Sequence, residues 1–153
     1  MIRKARIKDV NEIYELISYH AQEGKMLPRS LNDLYEYLRD FHVFEIEGEI
    51  IGVCGLHINW EDLAEIRSLA VRKGRERQGV GTALAKECIE EARQLDLLRL
   101  YTLTYKPRFF ERLGFQQMNK SELPHKVWRD CLQCSKFPDC DEIALILELK
   151  EGV

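Results

Sequence analysis

The sequence has no run of apolar residues close to the roughly 20 that a membrane-spanning helix needs. Its charged first ten residues also lack the apolar core of a signal peptide. We therefore expect no membrane partner and a cytoplasmic location, where all five cysteines would be reduced. The chain also has no excess of basic residues, because it contains 23 Lys and Arg and 26 Asp and Glu. Nucleic-acid-binding proteins usually have such an excess, so this argues against a nucleic-acid partner.

Internal repeats, low-complexity tracts and linkers are absent too, so nothing in the chain marks a second domain. A length of 153 residues fits one domain with its own core. Hydrophobic residues make up 45% of the chain and charged residues 32%, which is the balance of an ordinary globular protein. We predict a single domain that covers residues 1–153.

The spacing of apolar residues changes between helical and strand periods along the chain. Spacings of three and four predict a helix over 10–21 that is capped by Asp9, and a second helix that begins after Ser30. A third helix is expected from Gly79 to about Leu95. Strands are expected over 43–47, 50–58, 63–71, 98–104 and 143–149, with shorter elements over 107–113, from 115 and over 124–132. This mixture predicts an α+β domain with a mixed sheet and helices on its faces.

The most informative segment joins the strand at 63–71 to the third helix through a polar loop and the turn Gly79-Val80-Gly81. Glycines let a ligand approach the backbone, and the first N–H groups of a helix favour an anion, so a pyrophosphate fits here. A Walker loop would need a Lys after the second glycine, and a dinucleotide fingerprint would need a third glycine where Leu84 stands. From the glycines alone, a loop without any ligand stays an open alternative.

The succession of strand, Gly-x-Gly turn, long helix, strand, Pro-started helix and Gly114-Phe115 resembles the GNAT superfamily of N-acetyltransferases. This resemblance implies a mixed, mostly antiparallel sheet with helices on both faces, splayed between its fourth and fifth strands, with acetyl-CoA in that gap. The family's phosphate motif begins with Gln or Arg, whereas this chain has Glu76 there, and Arg75 or Arg77 could supply the missing cation. The cofactor contacts that the resemblance implies are Leu69, Ala70, Val71, Arg77, Gln78, Gly79, Val80, Gly81 and Thr82.

The resemblance also implies direct attack of a neutral amine on the acetyl thioester, which needs a base for the proton of the amine. Glu65 lies in the fourth strand and is our candidate base, although an ordinary surface glutamate would fit the same pattern. Many relatives carry an acidic tyrosine four residues before the glycine of Gly-Phe, where this chain has Phe110. Tyr105 is the substitute candidate, with simple packing as its alternative role and unassisted thiolate departure as the alternative mechanism.

The segment Leu27-Pro28-Arg29-Ser30 resembles the stand-alone relatives of the N-acetylglutamate synthase acetyltransferase domain. That resemblance implies L-glutamate as a small-molecule acceptor and a role in arginine biosynthesis. A guanidinium binds a carboxylate well, so Arg29 leads the candidate substrate-binding residues, followed by Arg67 and Lys126. Another small amine and a protein N-terminus are alternative acceptors. A non-catalytic acyl-CoA-sensing module is the alternative of another class, because Phe110 replaces the usual tyrosine.

Five cysteines fall into two groups. Cys54 and Cys88 lie in apolar segments and are expected in the core. Cys131, Cys134 and Cys140 are spaced like part of a structural zinc site, but a single C-x-x-C is a weak signal and reduced thiols without metal are the alternative. Strands near the C-terminus would also allow a homodimer by pairing between chains.

Overall fold

The computed structural model describes residues 1–124, 127 and 141–149. These residues form a seven-stranded sheet with four α-helices. The strands are β1 (Ile2–Lys4), β2 (Phe41–Ile46), β3 (Glu49–Trp60), β4 (Leu63–Val71), β5 (Arg99–Thr104), β6 (Gln116–Met118) and β7 (Ile143–Glu148). The helices are α1 (Val10–Gln22), α2 (Leu31–Glu36), α3 (Val80–Gln94) and α4 (Pro107–Glu111), with single 3-10 turns at Ile7–Asp9, Leu38–Asp40 and Lys120–Glu122.

The strands follow the order β1-β2-β3-β4-β5-β7-β6 across the sheet. The pair β4 and β5 is parallel, and the other neighbouring pairs among the described strands are antiparallel. The predicted α+β class with a mixed, mostly antiparallel sheet is therefore confirmed. A parallel pair needs a crossover connection, and α3 supplies it between β4 and β5.

Helices cover both faces of the sheet, as expected. Ile50 and Ile51 are adjacent in β3, so their side chains point to opposite faces. Ile50 is buried in a cluster with Val10 and Ile13 of α1, whereas Ile51 is buried in a cluster with Leu84 of α3. Cys54 and Cys88 both lie in the α3 cluster, which confirms their predicted place in the core.

The parallel pair β4 and β5 stays together only at its start. The last paired residues are Glu65 and Tyr101, although β4 continues to Val71 and β5 to Thr104. Just beyond that point the hydroxyl of Thr102 donates to the carbonyl of Ile66 at 2.8 Å, so a side chain replaces the next rung of the ladder. The two strands then separate, and the predicted splay between the fourth and fifth strands is confirmed.

A β-bulge in β4 lies where this separation begins. Val53 faces Ala70 and Gly55 faces Arg67, so β4 carries one residue more than β3 over the same stretch. Within the bulge Ser68 has a φ of +58°, a left-handed conformation that is uncommon for a residue with a side chain. A bulge bends its strand and increases the local twist, and this turns the second half of β4 away from β5.

Most element boundaries agree with the expected ones within a few residues. α2 is capped by the side chain of Ser30, which accepts from the N–H of Asp33, but the helix ends at Glu36 and a 3-10 turn follows. β2 begins at Phe41, before the expected start, because it also pairs with β1. The helix expected over 124–132 falls largely outside the described residues. Within the part of the chain that the structure describes, none of the helices has the length and apolar character to span a membrane.

Candidate functional site

A cavity of about 870 Å³ lies where β4 and β5 separate. Its walls come from the segment after α1, the second half of β4, the turn before α3, the end of β5, and α4. The cavity brings together these sequence-predicted site residues: Arg29, Glu65, Arg67, Leu69, Ala70, Val71, Arg77, Gly79, Val80, Gly81, Thr82 and Tyr105. Gln78 is exposed and does not line the cavity, and Lys126 lies outside the described residues.

The glycine turn has the backbone geometry that an anion site needs. Gly79 has a φ of +83° and Arg77 a φ of +64°, so the chain makes two left-handed steps before α3 begins at Val80. The N–H of Ala83 makes the first helical bond, to the carbonyl of Gly79. The N–H groups of the first turn before it have no acceptor within the helix, and the helix dipole adds partial positive charge there. Arg77 lines the cavity beside this turn and is placed to act as the cation.

The end of β4 presents its backbone to the gap. The N–H of Arg72 donates to Ile51 on β3, so the N–H and carbonyl of the preceding Val71 point away from β3. The carbonyl of Val71 is already engaged, because Nε2 of His20 lies 2.6 Å from it. A carbonyl only accepts, so Nε2 carries the hydrogen. A second lone pair stays available to a ligand that pairs with this strand.

His20 was not predicted from the sequence. It is buried near the end of α1 and lines the cavity, and its ring packs edge-on against Tyr19. The sequence shows it only as one polar residue near the end of an amphipathic helix. Its helical position after Leu16 and Ile17 does place it toward the sheet, but the partner on β4 is 51 residues away.

Glu65 lies in the cavity as a largely buried carboxylate. The hydroxyl of Tyr101 donates to its Oε1 at 3.5 Å, and Nη1 of Arg67 lies 3.7 Å from the same oxygen. Glu65 and Arg67 are two residues apart in β4, so their side chains share one face of the sheet. An ionised carboxylate in this position can take a proton from an ammonium group.

Tyr105 and Phe110 line the same cavity but differ in what they can supply. The hydroxyl of Tyr105 donates to Oδ1 of Asp141 at 2.6 Å, so this phenol points toward a carboxylate on the segment before β7. Phe110 is buried and packs edge-on between Phe109 and Phe115, at centroid distances of 5.0 and 5.4 Å. It has no proton to give. Tyr105 therefore stays the predicted acid.

Arg67 belongs to β4 at the start of the bulge, and Arg29 reaches the bulge from the loop between α1 and α2. Nε of Arg29 donates to the hydroxyl of Ser68 at 3.2 Å, which ties the α1–α2 loop to the bulge. The guanidinium of Arg67 lies over the ring of Tyr37, 5.4 Å from its centroid. The side chain of Arg67 is 8% exposed, so its charge acts in a partly desolvated place.

The charge of the cavity is opposite to that of the chain. The net charge of the protein is -3, yet eight of the described lining residues are Lys or Arg and four are Asp or Glu. The cations are Lys25, Arg29, Arg67, Arg75, Arg77, Lys106, Arg112 and Lys120, and the anions are Asp33, Glu65, Glu76 and Glu142. Such a cavity attracts anionic ligands and raises their local concentration.

No cluster of metal ligands occurs among residues 1–124, 127 and 141–149. The zinc prediction concerned Cys131, Cys134 and Cys140, and these lie outside the described residues. It therefore stays a prediction.

The model of the acetyltransferase (GNAT) family matches residues 7–115 of this sequence. The chain belongs to the GNAT acetyltransferase family. It is 36% identical over 148 residues to an uncharacterized N-acetyltransferase of Chlorobaculum tepidum, with 97% of this chain and 96% of that protein covered. It is 35% identical over 132 residues to the amino-acid acetyltransferase of Mycobacterium tuberculosis, with 84% and 75% covered.

A solved GNAT structure also superposes closely. The N-acetylglutamate synthase of Neisseria gonorrhoeae, complexed with coenzyme A and N-acetyl-glutamate, has a TM-score of 0.89 at 28% identity. The superposition covers 98% of the present chain and 35% of that synthase chain. The present protein is thus an acyl-transferring enzyme of the GNAT family, and the cavity between β4 and β5 has the cations, the helix start and the open strand edge that acetyl-CoA needs.

Proposed function

We propose that this GNAT enzyme transfers the acetyl group of acetyl-CoA to the α-amino group of L-glutamate, as a step of arginine biosynthesis. The observation that carries the proposal is the buried carboxylate of Glu65 beside the guanidinium of Arg67, with Arg29 across the bulge in the same cavity. The amino-acid acetyltransferase and the N-acetylglutamate synthase among the relatives support the same acceptor class.

We assign Glu65, Arg67 and Arg29 to the acceptor end of the cavity. A free amino acid carries an ammonium group and a carboxylate on one carbon, and glutamate adds a second carboxylate. The ammonium group would approach Glu65, one carboxylate Arg67, and the other carboxylate Arg29, which reaches the site from the α1–α2 loop. Guanidinium groups bind carboxylates in a bidentate way, so this set favours a dicarboxylic amino acid over a neutral one.

Acetyl-CoA would occupy the other end. Its phosphates fit the left-handed turn at Gly79, where the first N–H groups of α3 and Arg77 converge. Its pantetheine arm would add to the unpaired edge of β4 like an extra strand, between Leu69 and Val71. The thioester then lies near Glu65, because the unpaired edge begins just after that residue.

The chemistry follows from this arrangement. Glu65 takes a proton from the ammonium group, and the amine nitrogen attacks the carbonyl carbon of the thioester. The new C–N bond forms, the oxyanion is stabilised by backbone N–H groups of β4, and the C–S bond breaks as the tetrahedral intermediate collapses. After the attack the nitrogen carries a positive charge and releases a second proton to water, and the departing thiolate takes up one proton. Tyr105 is the candidate donor, since it lines the cavity and its hydroxyl, which donates to Asp141, carries a proton.

The excess of cations argues against polyamines as acceptors, because a polyamine would bring several positive charges to a cavity lined by twice as many cations as anions. Thiol release should be measured over a panel of L-glutamate, L-glutamine, L-aspartate, putrescine and a peptide with a free N-terminus. We expect L-glutamate to give the highest kcat/KM. A higher value for putrescine or for the peptide would reject the proposal, and a higher value for L-glutamine would reject the role of the second carboxylate.

A further inference from the structure

A cluster of four side chains stands behind the acceptor end of the cavity. Tyr37 precedes the 3-10 turn that follows α2 and Asp40 ends it, whereas His57 comes from β3 and Arg67 from β4. Oδ2 of Asp40 lies 2.7 Å from Nδ1 of His57 and 4.0 Å from Nη2 of Arg67. The ring of Tyr37 meets the ring of His57 edge-on at 5.1 Å and lies under the guanidinium of Arg67 at 5.4 Å. Tyr37 and Asp40 thus each contact both His57 and Arg67.

Two members of the cluster line the cavity and two do not. Arg67 and Tyr37 line it, whereas Asp40 and His57 are absent from its walls. The side chains of Asp40 and His57 keep about a fifth of their surface exposed, at 22% and 19%, while that of Arg67 keeps 8%. Asp40 and His57 therefore have no direct route to an acceptor in this cavity. Any effect they exert on it passes through the lining residues Arg67 and Tyr37, and of these two Arg67 carries the charge that an acceptor carboxylate would meet.

Arg67 lies between two carboxylates at similar distances. Its Nη1 is 3.7 Å from Glu65, and its Nη2 is 4.0 Å from Asp40. Neither pair has the close, bidentate geometry of a strong guanidinium–carboxylate bond. If Asp40 lost its charge, Arg67 would lose an attraction on that side and would move into closer contact with Glu65. That contact would occupy the base and withdraw the guanidinium from a second anion.

His57 fixes the position of Asp40. It stands opposite Glu65 in the β3–β4 ladder, so its side chain lies on the same face of the sheet as Glu65 and Arg67. A ring N–H at 2.7 Å holds one carboxylate oxygen of Asp40, and this same oxygen faces Arg67. The contact of Tyr37 with His57 restricts the ring further.

We propose that Asp40 and His57 are positioning residues that hold the guanidinium of Arg67 in place for the carboxylate of the acceptor. The inference rests on the proposed function in one respect, namely that Arg67 binds an acceptor carboxylate. The placement of Arg67 itself is independent of the acceptor, so the two parts are tested by separate measurements.

The first measurement uses the free protein and follows the side-chain N–H signals of Arg67 by ¹⁵N NMR, assigned by their loss in Arg67→Met. Asp40→Asn and His57→Phe should broaden or shift these signals. His57→Phe keeps a ring against Tyr37 but removes the hydrogen bond, whereas His57→Asn keeps a donor near the position of Nδ1 and should retain the wild-type signals. Asp62→Asn makes the same chemical change in a surface pair with Arg99, outside the cavity, and is the matched control. Unchanged Arg67 signals in both Asp40→Asn and His57→Phe would overturn the proposal, whatever the acceptor is.

The second measurement is kinetic. The KM for L-glutamate should rise roughly tenfold in Asp40→Asn and in His57→Phe, while the KM for acetyl-CoA changes less than twofold. His57→Asn should recover most of the loss. In an Arg67→Met background, Asp40→Asn should not raise the KM for L-glutamate any further, because Asp40 acts through Arg67. An additive increase, or an unchanged KM in a variant whose Arg67 signals have moved, overturns the positioning role. A wild-type enzyme that does not use L-glutamate rejects the acceptor assignment and leaves the NMR test standing.

Discussion

Replacement of Glu65 by Gln tests the base with the smallest change of shape. A glutamine side chain can still accept the hydrogen bond that Tyr101 gives at 3.5 Å, so the packing around it should persist. The variant lacks a proton acceptor and lacks the negative charge 3.7 Å from Arg67. General-base catalysis typically contributes a factor of about 10² to 10⁴. We therefore expect kcat/KM at neutral pH to fall by roughly a hundredfold or more, which corresponds to about 2.7 kcal/mol of transition-state stabilisation.

The pH dependence separates a base from a residue that only orients the acceptor. As the pH rises, more of the acceptor amine is already deprotonated, so the need for a base decreases. The deficit of Glu65→Gln should accordingly shrink at high pH. Thiol release should be followed from neutral to alkaline pH, with Glu61→Gln on the exposed β3–β4 turn as the matched control. Turnover close to wild type at every pH would rule out Glu65, and a deficit that stays constant with pH would assign it an orienting role only.

Variants at four further positions test the remaining parts of the site and the fold. Gly79→Ala places a side chain at a φ of +83°, which costs about 1–2 kcal/mol. Gly81→Leu brings side-chain atoms against Val71 and Phe109, because a Cβ at Gly81 would already lie 3.6 and 3.7 Å from them. Acetyl-CoA should raise the Tm of either variant less than it raises the Tm of the wild type. Arg29→Ala should raise the KM for L-glutamate by about tenfold to a hundredfold without changing that for acetyl-CoA, and Arg29→Lys should recover only part, as steady-state kinetics would show. Arg3 holds the pKa of Asp9 below its ordinary value through two hydrogen bonds. This pair therefore stabilises the fold at neutral pH, and its contribution is lost as the pH falls below about 4. Asp9→Asn should lower the free energy of unfolding in urea by about 1.5–3 kcal/mol at pH 7, and the stability of the variant should depend less on acid pH than that of the wild type.

The features that sequence reasoning predicted are those with a local or periodic signal. The Gly79-Val80-Gly81 turn is visible in the sequence from its two glycines, and Gly79 has a left-handed backbone in the structure. The splay of β4 from β5 came from the family resemblance, which fixes the order of elements. Glu65 and Arg67 lie on one face because they are two residues apart in a strand, and that spacing is visible in the sequence.

The features that the sequence did not reveal depend on residues far apart in the chain. Ser68 adopts a positive φ in the bulge, and a serine in a strand gives no indication of it. The hydrogen bonds from His20 to Val71 and from Thr102 to Ile66 join elements separated by 51 and 36 residues. Each partner alone fits an ordinary helix or strand position. Only the register of the sheet and the docking of α1 bring them together.

The charge distribution explains why the overall composition said little about the ligand. Among the described residues, eight Lys or Arg line the cavity against four Asp or Glu, whereas the whole chain carries 23 basic and 26 acidic residues. The net charge of -3 averages over the cavity and the rest of the chain, so it does not show the sign of the charge around the ligand. Charged walls around a cleft act on a ligand at short range, where the Debye length of about 8 Å screens the more distant acidic surface. An anionic ligand in the cavity therefore meets the field of these walls rather than that of the whole chain.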